Sequence, residues 1–62
     1  MFEIMFEDGN IYTSETNDGV ANIVFDNTGL WMLASHIREL CKEMVCGDIE
    51  EFEDVGLIIK KL

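Results

Sequence analysis

Polar and apolar residues alternate from the start of the chain. In Phe2-Glu3-Ile4-Met5-Phe6-Glu7, Phe2, Ile4 and Phe6 fall on one side and Glu3, Met5 and Glu7 on the other, which is the period of a half-buried strand. Asp8-Gly9-Asn10 supplies residues suited to a tight reversal, and Ile11-Tyr12-Thr13-Ser14 is a second β-type run, so the two predict a hairpin. After the polar turn Glu15-Thr16-Asn17-Asp18-Gly19, Val20 to Phe25 again alternates, with Ala21, Ile23 and Phe25 on one side. That pattern predicts a third strand.

The period then changes. Asp26-Asn27-Thr28 offers side-chain oxygens for the free amides of a helix start. Leu30, Leu33, Ala34, Ile37, Leu40, Cys41 and Met44 follow at three- and four-residue steps, the apolar stripe of an amphipathic helix. Gly47 sits where a C′ glycine would end it. Asp48 to Asp54 holds five carboxylates in seven residues, whose mutual repulsion predicts an exposed loop. Val55 to Leu62 predicts a closing strand. The expected fold class is α+β, one small domain over residues 1–62 in the order β-β-β-α-β. One helix packs on one face of a mainly antiparallel four-stranded sheet. The strand order is expected as 4-1-2-3, and the helix connection makes strands three and four parallel.

A single helix covers one sheet face and leaves the other open. Met5, Tyr12, Val20, Val24, Ile58 and Leu62 are expected there, among Glu3, Glu7, Asn22 and Lys60. A half-apolar open face on so small a domain points to a contact surface, either for a partner or for a homodimer.

Charge decides which kind of partner is plausible. Thirteen acids against four bases give a formal net charge of −9, which repels nucleic acid and favours a basic protein. Residues 1–27 carry six of the acids and no base. The 48% hydrophobic content exceeds that of disordered acidic tails and can build a core. The opening residues lack a secretory-signal pattern and no stretch is apolar enough to span a membrane, so a cytoplasmic, membrane-free protein is expected. Cys41 and Cys46, five apart and read within one helix, point away from each other and are expected to be reduced thiols. With His36 they match no metal-ligand spacing, so neither metal nor cofactor is expected.

No nucleophile, base and orienting group stand in a recognisable arrangement, so no catalytic residue is assigned and no enzymatic activity is expected. His36 reads as a surface histidine paired with Glu39 or Glu43. Trp31, outside the apolar stripe and near Arg38 and Lys42, reads either as an interface anchor or as a ring stacked under Arg38. The 48–54 cluster lacks the order of a calcium-binding EF-hand loop and reads instead as an acidic contact for a basic partner.

These readings combine into a small acidic inhibitor that occludes a basic nuclease, toxin or defence-system subunit. Glu3, Glu7, Asp8, Glu51, Glu53 and Asp54 steer and match the partner, while Tyr12, Trp31 or Phe52 supplies a buried anchor. One alternative is a phage-type DNA mimic that blocks a restriction or CRISPR effector. Another is a homo-oligomeric assembly module joined through the open sheet face.

Ile23-Val24-Phe25-Asp26-Asn27-Thr28-Gly29-Leu30, followed by Leu33-Ala34, Ile37-x-x-Leu40 and Leu57-Ile58-Ile59-Lys60, resembles the bacterial polymorphic-toxin immunity proteins of the immunity protein thirty-two family. The likeness spans roughly residues 20–62 and has no counterpart to the 48–54 region. It implies stoichiometric neutralisation of a toxin by occlusion, and it transfers no binding residue.

Overall fold

The computed structural model describes all residues 1–62, as an α+β domain of two layers. Strands β1 (Phe2–Phe6) and β2 (Ile11–Ser14) form the expected hairpin, followed by helices α1 (Asn17–Thr28) and α2 (Trp31–Glu43). Strand β3 (Ile49–Phe52), a 3-10 turn (Glu53–Val55) and strand β4 (Leu57–Lys61) complete the chain. The sheet is antiparallel throughout, in the order β2-β1-β4-β3.

Alternation in β1 works as expected. Phe2 and Ile4 are buried against the helices, joined by Leu57 and Ile59 from β4, and Ile4 sits opposite Ile59. Burying one face of these two central strands drives the sheet and helices together.

The third strand expected at 20–25 is instead most of α1. The apolar positions in this segment satisfy both periods, and two flanking residues decide for the helix. Thr16 accepts the Gly19 N–H at 2.9 Å as an N-cap, and Gly29, at φ +70°, donates its N–H to the Phe25 carbonyl at 2.8 Å as the C-cap. Val20, Ala21 and Val24 thereby share one buried side instead of alternating. Val20 and Val24 leave the open sheet face for the core, and Asn22 becomes an exposed helix position. The Ile23–Thr28 part of the likeness to immunity proteins is likewise helical.

Asp26-Asn27-Thr28 closes α1 rather than opening the next helix. Asn27 Nδ2 donates to the Ile23 carbonyl at 2.8 Å and Thr28 Oγ1 to the Val24 carbonyl at 2.7 Å. The expected amphipathic helix is α2, which buries Ala34, Ile37 and Cys41. It stops at Met44, three residues before Gly47, where the backbone turns extended and Lys61 Nζ donates to the Met44 carbonyl at 3.1 Å. Cys46 therefore lies outside the helix.

The acidic loop expected at 48–54 is a strand and a turn. An edge strand spreads its carboxylates over both faces, and Glu50 faces the helix layer opposite Ile59 while Glu51 faces away opposite Ile58. The closing strand does pair with the first, as expected, but antiparallel. With α1 replacing a strand, no parallel pair exists.

Ile37 is fully buried at the centre of this layer. Replacing it with alanine is expected to cost about 2–5 kcal/mol, and Thr16→Ala about 1 kcal/mol through loss of the α1 cap. Urea denaturation followed by circular dichroism measures both.

Candidate functional site

The face that the helices leave open is built from two cross-strand rows. Thr13, Glu3, Lys60 and Ile49 form one, and Ile11, Met5, Ile58 and Glu51 the next. Met5 and Ile58 are half-buried by their neighbours, whereas Ile11 and Ile49 are exposed. Tyr12, expected on this face, is opposite Ile4 on the helix side. There it stacks edge-on against Phe6, with centroids 5.7 Å apart, and its hydroxyl donates to Asn27 Oδ1 at 3.3 Å. Tyr12 ties β2 to α1.

At one end of the central pair the ladder continues past the strands, because the Glu7 N–H donates to the Gly56 carbonyl at 2.8 Å. Gly56 has φ +64°, as the sharp exit from the 3-10 turn requires. The Glu7 carboxyl lies where a Cβ on residue 56 would stand, so this glycine is also what lets Glu7 fold across the strand end. A hollow of about 290 Å³ opens here, with Met5 and Ile58 in its lining beside the carboxylates Glu7, Glu51 and Glu53. No lysine or arginine lines it. The ion pairs of the chain lie elsewhere, Arg38 with Asp18 at 3.9 Å and Lys42 with Glu39 at 2.8 Å.

Across the Glu51–Glu53 ridge a second hollow, of about 540 Å³, is lined by Leu30, Leu33, Phe52 and Val55 with Asp54. Phe52 packs partly into the core, so it forms a wall of this hollow instead of a free contact.

The fold thus brings Glu7, Glu51 and Glu53 together and sets Phe52 and Asp54 on the far side of the same ridge. Other expected contact residues lie apart. Glu3 shares the open face but stands opposite Lys60. Asp8 is engaged within its own turn, accepting from the Asn10 backbone N–H at 3.0 Å and side-chain amide at 3.1 Å. Trp31 opens α2, 57% exposed, edge-on to Phe25 with centroids 5.5 Å apart. Arg38 does not stack on it, because the helical turn of α1 presents Phe25 to the ring and Asp18 to the guanidinium. Phe25 and Ile11 are exposed apolar groups that sequence reasoning did not select. Ile49 is exposed as well, on the edge strand β3.

His36 is exposed beside Glu39 and Glu43, but Glu39 bonds Lys42, whose hydrogen bond and charge hold that carboxyl below its ordinary value. No group of three or more His, Cys, Asp or Glu side chains is arranged to hold a metal ion. Cys41 is buried and Cys46 exposed, with no disulfide between them. No helix is long and apolar enough to cross a membrane. No protein-family model matches the chain, and neither a curated relative nor a similar solved structure was found.

Burial pushes the Cys41 thiol above its ordinary value of 9.0, against a smaller opposing pull from the Lys61 charge. The folded chain holds this proton more tightly than the unfolded one, so the contribution to stability is complete at lower pH and is lost as pH climbs past 9.0. Iodoacetamide at mildly alkaline pH is expected to alkylate Cys46 and spare Cys41 in the native protein, and to modify both in denaturant. Mass spectrometry reads the count, and rapid native labelling of Cys41 would contradict the described core.

Proposed function

We propose that this chain is a non-enzymatic binding protein that covers a basic surface of another protein, in the manner of an inhibitor or immunity protein. The observation that carries the reading is the meeting of Glu7, from one end of the sequence, with Glu51 and Glu53, from the other, around an apolar hollow with no base in its lining. Carboxylates left unpaired inside one domain are repelled by their neighbours and gain most from a cationic surface. Apolar floors on either side of the ridge give such a surface something to bury, which charge alone does not supply. The net charge of −9 points the same way.

A second reading, self-association through the open sheet face, is favoured by exposed Ile11 beside Met5 and exposed Ile49 in the neighbouring row. It is opposed by the repulsion between two chains of the same high charge. A DNA-mimic inhibitor is a special case of the first reading, in which duplex DNA displaces the protein from its target.

The deciding variant is Glu51→Lys with Glu53→Lys. Tagged wild-type protein is expected to retain a basic protein from host lysate at low salt and lose it as salt rises. Against that purified protein, the double variant is expected to associate about tenfold or more slowly, with a flatter dependence on ionic strength. Unchanged association rates would remove the ridge from the binding surface. A concentration-dependent dimer broken by Ile11→Glu would transfer the open face to the second reading.

A further inference from the structure

The hollow beside the acidic ridge is specific enough to name the group it receives. Met5 and Ile58 are partners across β1 and β4, and both point out of the open face, where they are half-buried. They make an apolar floor. Glu7 comes to its rim from the end of β1, Glu51 from β3 opposite Ile58, and Glu53 from the 3-10 turn. Glu7 is held there by the backbone bond to Gly56 and by the absence of a side chain at residue 56. None of the three carboxylates takes part in an ion pair.

An occupant has to be cationic at its edge and tolerate an apolar surface against its face. A lysine ammonium is compact and strongly hydrated, and contact with Met5 and Ile58 would strip water from it without replacing that water. A guanidinium is flat, weakly hydrated above and below its plane, and carries five N–H donors around its rim. That distribution matches a floor of thioether and methyl groups ringed by carboxylates, which also accept stronger hydrogen bonds than neutral groups do. We propose that the Glu7–Glu51–Glu53 hollow is an arginine receptor, which takes an arginine side chain presented by the basic partner. The guanidinium face rests on Met5 and Ile58 and its edge donates to the three carboxylates. This inference rests on the basic-partner reading and identifies the side chain that the ridge reads.

Titration of the full chain with an octa-arginine and an octa-lysine peptide, followed by methyl NMR, tests it. The Met5 and Ile58 methyl resonances are expected to shift and saturate with the arginine peptide. That peptide is expected to bind about fivefold or more tightly than its lysine counterpart of equal charge. Glu51→Gln with Glu53→Gln, and separately Glu7→Gln, should weaken the arginine peptide and bring the two affinities together, while Asp26→Asn on α1 leaves the preference intact. Circular dichroism of each variant separates loss of binding from loss of fold. Equal affinity for the two peptides, or stationary Met5 and Ile58 resonances while other surface signals move, overturns the arginine receptor. If either occurs while Glu51→Lys with Glu53→Lys still slows the natural partner, the basic-partner reading stands and only the arginine assignment falls.

Discussion

Everything else in this domain depends on the antiparallel pairing of β1 with β4. These strands come from opposite ends of the sequence and form the centre of the sheet, with Phe2 opposite Lys61 and Phe6 opposite Leu57. Their shared inner face presents Phe2, Ile4, Leu57 and Ile59 to the helices, and a slip of one residue would turn all of one strand's buried side chains outward. Lys61 strengthens the arrangement from the margin. Its ammonium bonds the last carbonyl region of α2 and lies 5.2 Å from the centroid of the Phe2 ring, so one side chain joins the helix end to both central strands. Because the pairing is nearly the longest-range contact the chain can make, loop closure over both helices has to precede much of the reward.

The same pairing explains how much was legible. The hairpin, the amphipathic helix α2 and the closing strand follow from local periodicity and local turn chemistry, although α2 stops at Met44 rather than Gly47 and β4 begins at Leu57 rather than Val55. Val20 to Phe25 was ambiguous because apolar residues at 20, 21, 23, 24 and 25 fill a strand face and a helix face alike. The deciding information lay just outside the segment, in Thr16 and Gly29. At 48–54 the charge density concealed a strand, because repulsion argues for a loop only when the carboxylates share a face. An edge strand divides them between the two faces and leaves several in water.

The candidate site was half legible for a related reason. Glu51, Glu53 and Asp54 are neighbours in sequence, so their closeness needs no long-range contact. Glu7 joins them only because β1 ends where β4 begins, which no local pattern states. Asp8, one residue further on, carries the same charge but spends it on Asn10 in the turn. Tyr12 falls to the inner face by the register of the hairpin, and Trp31 finds Phe25 because α1 is a helix. Residue type alone did not say where each side chain lies, and the strand register determined it.

The register also fixes a polarity along the sheet. Leu62 donates its backbone N–H to the Met1 carbonyl at 2.9 Å, so Met1 and Leu62 lie side by side at one end of the central strands. Glu7 and Gly56 lie at the other, about 20 Å away at the rise of an extended chain. Polypeptide joined at either position, or a surface to which the protein is tethered there, extends from the end remote from the acidic hollow. The fold therefore separates the place where this domain can be attached from the acidic hollow proposed to receive a partner.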